Sequence, residues 1–556
     1  MTRCIPRLPA AGVLLVFLLT ACGGEPPEHT SPETGDDYDA LVAIFDEFRA
    51  LRAPPPADDG HVDDRPGAVA ERIERLTELQ RRLDAIDTDG WDRAREADHL
   101  AVRAQLDELE FVLRVTRPWA RDPVYYVNRM LRLAFTELPA EGEALETLQR
   151  ALRTLPALVD QATANLTDIT RDHGELAIFH LTTSDGVGFE HPERDTPPPG
   201  VIGWYDDLLG RAGNAQPELV DDIISAREAV EDFHDWLVTR RDDFAGDNGV
   251  GEALFDWYLH HGLLIPHTSA EILEMAEREL ERVEAFHALE RERNRGLPEI
   301  ELARSEEEYL QRIADTDAWI RDWLVAEDFI SIPEFIPDDW QDMGFNVPWV
   351  DRGTPPNFWE QVQYRDPAPD HLHAVIPGHR YDVWFERQSE HPIRRHIRDG
   401  VRYQGWAVYL EETPLQLGLF DQRPRTRELI YTFLQWRAAR TIGDILNQHN
   451  VMSAPEVIDW WVARTQWMDE NVARSYAYLR PHPGHGLHYT YGHLQMRQLL
   501  TDYRLQQGDD FVLRDFHDRF MAAERIPLSL IRYEMTGLDD EVRELRTRVP
   551  LTELLD

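Results

Sequence analysis

A chain of 556 residues with a formal net charge of −45 is long enough to bury a sizeable core, and that charge excludes nucleic acid as a partner, because phosphate binding needs clustered cations. The 58 basic residues are all Arg and face 103 Asp and Glu, so the surface reads as a solvated acidic shell, with recruitment of basic peptides as the alternative. Cys4 and Cys22 are the two cysteines, which leaves no thiol for a disulfide or a Cys-held metal in the rest of the chain.

The N-terminus carries Arg3, an apolar run from Ala10 to Leu19, and then Leu19-Thr20-Ala21-Cys22. That is the order of a cleaved secretory signal over residues 1–21, with small residues at the cut. The ending resembles a bacterial lipobox, with Cys22 as the lipidated first residue of the mature chain. The apolar run is too short to span a bilayer comfortably. The expected location is therefore the bacterial envelope, at the outer membrane or the outer face of the cytoplasmic membrane, with the membrane reached through the lipid anchor only. Residues 22–38 are acidic and contain Pro26 and Pro27, as suits a flexible tether.

Beyond the tether, helical periodicity dominates. Ile73, Leu76, Leu79, Leu83 and Ile86 recur at three- and four-residue steps in a charged background, which puts one apolar face on a wet helix. Spans 144–166, 217–240, 306–324, 425–446 and 457–479 read the same way. Thr268 followed by Glu271 opens another helix with a capping box, and Ile272, Ala276, Leu280, Val283 and Phe286 form its apolar stripe. Breaks fall at Pro54-Pro55-Pro56, at Pro197-Pro198-Pro199-Gly200, and in the Trp- and Pro-rich span 332–369. A span of that length is expected to be functional or to hold short strands beside a cleft. Strand-like alternation is otherwise scarce. The mature chain divides into an N-terminal helical lobe, 39–260, and a C-terminal helical lobe, 261–556.

Chemistry concentrates in His373-Ala374-Val375-Ile376-Pro377-Gly378-His379 and in Gln404-Gly405-Trp406-Ala407-Val408-Tyr409-Leu410-Glu411-Glu412. The two His are six residues apart, a step that turns the second by about 240° and carries it about 9 Å along an unbroken helix. Pro377 removes the N–H that would bond to the carbonyl of His373 and disfavours a helical Ile376, so a break there lets His379 swing back toward His373.

These segments resemble the domain of unknown function 885, a bacterial family placed among the zincin metallopeptidases, whose members typically read H-E-x-x-P-G-H and E-G-W-A-x-Y. Further matches lie at His267–Glu271, at Arg437-Ala438-Ala439-Arg440, and at Pro483-Gly484-His485 with Tyr489, Tyr491 and Gly492. The resemblance implies a mainly α, two-lobed, zincin-like (gluzincin-related) fold with a central cleft and little β. It makes His373 and His379 the two zinc ligands. Gln404 takes the position of the carboxylate ligand and Ala374 that of the general base.

Both replacements act against hydrolysis. A methyl group accepts no proton from metal-bound water, and an amide leaves the dication's charge unbalanced. Zinc is therefore expected to be weak or absent. Gln448 stands where relatives carry a His after Asp444. On the same resemblance, Tyr489 could donate to a developing oxyanion, with packing as its competing role. Ala374, Trp406 and Tyr491 would line the substrate cleft, although Trp406 and Tyr491 also read as core aromatics. Glu411, seven residues from Gln404, lies about 10.5 Å along a helix from it, too far to replace it. His371, Asp370, Asp382 and Glu386 are the local substitutes.

The expected function is a pseudopeptidase that binds peptides or small envelope molecules. An active zinc-dependent peptidase or amidohydrolase with relocated acidic groups, and a purely structural envelope lipoprotein, remain the alternatives.

Overall fold

The computed structural model describes residues 36–54, 61–183, 198–246, 248–350, 355–478 and 483–555. Cys4, Cys22 and most of the tether lie outside them. Among the described residues every regular element is helical, from Asp36–Arg52 to Thr552–Leu555. No helix among them is long and apolar enough to cross a membrane.

The charged amphipathic spans form the helices their periodicity dictates. Pro66–Asp84 buries Val69, Leu76, Leu79 and Leu83. Ser269–Arg293 starts at the capping box, with Thr268 accepting from the backbone of Glu271 and Glu271 accepting from that of Thr268. It buries Ile272, Ala276, Leu280 and Val283, each worth up to about 1.5–3 kcal/mol against exposure for the larger side chains. Phe286 departs from the stripe and is 42% exposed, with the guanidinium of Arg282 over its ring.

Two expectations change. Span 457–479 is two helices, Ala454–Arg464 and Glu470–Tyr478. Trp467 takes a left-handed conformation in the break, and Asp469 restarts the helix by accepting from Val472 N–H at 3.0 Å. Span 332–369 holds the short helices Trp340–Met343 and Phe358–Gln363 and the start of Ala368–Ala374, and no strand among its described residues. Its backbone is satisfied by caps such as the Asn357–Glu360 box instead of a ladder.

Helices on both sides of residue 260 share one apolar core that runs from Tyr38 to Leu551. Arg93–Phe111 packs on the turn Tyr258–Gly262 and on Leu528–Thr536, which ties the beginning of the chain to its end. In the second half, Gly400–Gln416 lies along Leu487–Gln507, which also packs on Pro424–Gln448, and Ser269–Arg293 covers the latter. Gly400–Gln416 is buried nearly all round, with Arg402, Glu411 and Glu412 inside. Polar groups so placed need partners, and those partners build the site.

Candidate functional site

The two imidazoles come from a broken helix. Ala368–Ala374 ends after His373 and a new helix, His379–Glu386, begins at the second imidazole. Between them Pro377 has no N–H to continue the first helix, and its carbonyl instead accepts the indole N–H of Trp406 at 3.0 Å. A Cβ on Gly378 would stand 2.0 Å from the carbonyl oxygen of His373, so only glycine allows the chain to double back here. The result sets the rings of His373 and His379 edge to face, with centroids 4.7 Å apart.

Each imidazole meets a different turn of Gly400–Gln416. Nε2 of His379 is 3.2 Å from Oε1 of Gln404, and its ring stacks on Tyr403 at 3.8 Å. An amide oxygen accepts, so Nε2 carries the hydrogen in this contact. His373 faces the other way, with Nδ1 2.7 Å from Oε1 of Glu411, off the direction of a well-formed hydrogen bond. The expected remoteness of Glu411 is thus corrected. The helical rise separates it from Gln404, but the imidazole pair spreads along the same helix and reaches both. Oε1 of Glu411 also accepts from Nη2 of Arg437 at 3.1 Å.

Burial sets the protonation states. It holds both imidazoles far below the usual histidine range, with Arg437 and Arg440 adding to the effect on His373 and the neighbouring imidazole to that on His379. Burial likewise pushes Glu411 up to about 7 against the pull of Arg437. His379, Tyr403 and Gln404 are half-buried, whereas His373, Ala374 and Glu411 are buried. The site therefore opens on the His379 side and has an Arg437–Glu411 floor.

Tyr489 lies parallel to His373 at 6.3 Å between ring centroids, beneath the guanidinium groups of Arg437 and Arg440 at 4.7 and 4.3 Å. Trp406 is fully buried and packs on Tyr409, His517 and Phe520. Tyr491 is buried and shares a 2.9 Å hydrogen bond with Nδ1 of His267, joining two of the sequence motifs. The substitutes for the missing acids are engaged elsewhere. His371 binds Asp317 at 2.8 Å, and Asp370 takes donors from Gln363 and Asn346. Asp382 pairs with Arg402 and Arg525, and Glu386 with Arg398 and Arg525. Gln448 accepts from the backbone of Val250 at 3.3 Å and lines a different cavity. Sequence reasoning missed Tyr403 and the role of Arg437, although both sit beside or within quoted motifs.

The groups that would meet a zinc ion here are two neutral imidazoles and a neutral amide. Neutral imidazoles suit a metal, but one presents an N–H to the amide, and the nearby carboxylate is shared with Arg437. Among the described residues, the one group of three His, Asp or Glu with ligand atoms within 4.8 Å of one another is Glu279, Glu412 and His493. The guanidinium of Arg282 already bridges its two carboxylates, at 2.6 Å to Glu279 and 2.8 Å to Glu412. That group is an ion-pair network.

Two solved structures share this fold. One is a candidate lipoprotein of unknown function from Shewanella oneidensis, 16% identical with a TM-score of 0.69, the match covering 90% of this chain and 100% of that one. The other is a candidate lipoprotein from Colwellia psychrerythraea, 14% identical with a TM-score of 0.65, covering 90% and 99%. At these identities the likeness is one of fold. Among curated proteins none matches the chain. The sequence matches the family described as bacterial protein of unknown function (DUF885) over residues 50–535, and with its motifs folded around one imidazole pair, the chain belongs to that family.

Proposed function

We propose that the protein is a lipid-anchored envelope member of its family that has lost hydrolysis and retains a site for peptides or similar small envelope molecules. The observation that carries this reading is the identity of the groups around the imidazole pair. A buried methyl, Ala374, occupies the general-base position of the resemblance, and the group opposite His379 is an amide. Zinc is then held weakly or not at all. The lipid anchor rests on Cys22 and on the naming of both structural relatives as candidate lipoproteins. Cys22→Ala should move the protein from the membrane fraction to the soluble one.

The test is metal content. Protein purified without chelator should carry well under one zinc per chain, and Ala374→Glu with Gln404→Glu should raise zinc affinity by restoring a base and a charge-balancing ligand. Stoichiometric zinc in the native protein, lost on His373→Ala, overturns the proposal. One observation favours a second reading, a working zinc hydrolase with a relocated acid: the 2.7 Å approach of Glu411 to His373. Zinc binding that disappears on Glu411→Gln selects it.

A further inference from the structure

The segments around Thr116–Asp122 and His173 meet the end of Pro424–Gln448 and the turn before Leu487. They enclose a cavity of about 80 Å³. A water needs about 10–15 Å³ by the same measure, so there is room for a small molecule. Neither His373 nor His379 lines it, so its chemistry does not depend on the fate of that pair.

One wall is Arg440, 1% exposed. Its guanidinium lies over Tyr476 at 4.0 Å, Tyr489 at 4.3 Å and Trp436 at 5.3 Å, and it is hydrogen-bonded to Tyr489. Nε and Nη1 have no partner among the described residues. The other arginine of the lining, Arg121, pairs with Asp168 at 3.6 Å, and Arg437, next to Arg440 across Tyr489, pairs with Glu411. Ring faces compensate a buried guanidinium only in part. Nε and Nη1 lie on different edges of the guanidinium, and each offers a charge-assisted N–H to a carboxylate oxygen.

The same lining holds two acids, with Arg121 and His173 beside the first of them. Asp122, 7% exposed, accepts from Val124 N–H at 2.8 Å and makes no ion pair among the described residues. Asp444, in the same lining, is spent on the backbone N–H groups of the turn, Gly486 among them at 2.9 Å. A simple anion would satisfy Arg440 but face both carboxyl groups, and a simple cation would meet the reverse. A neutral molecule with separated charges suits a lining of both signs. We propose that this cavity binds a small zwitterion, a free α-amino acid or a dipeptide, with its carboxylate on Arg440 and its ammonium toward Asp122.

The test compares four probes on the full chain by thermal shift and calorimetric titration. These are glycine and diglycine, which carry both charges, acetate, which lacks the ammonium, and glycinamide, which lacks the carboxylate. Binding of glycine or diglycine at least about tenfold tighter than either half-molecule, and weakened by Asp122→Asn and by Arg440→Lys, is the expected result. Acetate binding as tightly as the zwitterions overturns the proposal, and so does an absence of binding by all four. The comparison among probes uses the native protein, so it stands even if an Arg440 variant fails to fold.

Discussion

At the scale of single residues, the cap of the helix that carries Gln404 also titrates. Oδ1 of Asp399 accepts the N–H of Arg402 at 2.7 Å. Burial pushes its carboxyl from an ordinary value of 3.8 up to about 7, against the cap bond to Arg402 and with help from Glu108. The folded state therefore keeps a proton that the unfolded chain releases. The resulting stability is fully present below the unfolded value and is lost as pH rises to about 7. Asparagine caps about as well as aspartate and does not titrate. Asp399→Asn should gain stability relative to the native protein progressively between about pH 4 and about pH 7, as read from urea unfolding at a series of pH values. A difference that stays constant across that range overturns the assignment. Glu411 shows what the sequence could not convey at this scale. Its separation from Gln404 follows from helical rise, but its 2.7 Å approach to His373 depends on how Ala368–Ala374 packs on Gly400–Gln416, and no local spacing encodes that contact.

At the scale of elements, the sequence was most legible where one helix carries its own period and cap. Thr268 and Glu271 announce Ser269–Arg293 because both capping bonds are local. The break between Ala454–Arg464 and Glu470–Tyr478 was not legible, since Trp467 reaches its left-handed conformation without a glycine to mark it. Asp469 is also fixed from a distance, through Phe358 N–H at 3.0 Å. The crossing of Gly400–Gln416 with Leu487–Gln507 was hidden for the same reason. A Cβ on Gly405 would stand 2.5 Å from the carbonyl carbon of Gly492, so the two backbones touch where both lack a side chain. Gly405→Ala gains up to about 1 kcal/mol of helix propensity, but forcing apart a packed crossing costs about 1–3 kcal/mol or more, and the collision wins. Gly210, within Gly200–Ala215, has nothing within 4 Å of its added Cβ, so Gly210→Ala should instead stabilise by about 0.5–1 kcal/mol. Opposite shifts in the urea midpoint of the two variants check the crossing. Equal shifts would place the glycines in equivalent surroundings and contradict it.

At the scale of the whole molecule, charge sets how stability depends on salt. With 103 acidic and 58 basic residues, 45 acids remain without a cationic partner even if every Arg is paired. Two effects compete as salt is added. Exposed pairs such as Arg81–Glu78 weaken, but each contributes little, because water already screens it. The excess negative charge repels itself in any arrangement of the pairs, over a distance that shrinks from about 30 Å at 0.01 M salt to about 10 Å at 0.1 M. Because repulsion acts among all the unmatched acids while each pair acts alone, screening should win and the melting temperature should rise with sodium chloride. Choline chloride should reproduce the rise at equal ionic strength, since screening does not depend on the identity of the cation. A melting temperature that falls, or that rises with sodium but not with choline, would mean that specific pairs or bound cations, and not net charge, govern the stability of this acidic body.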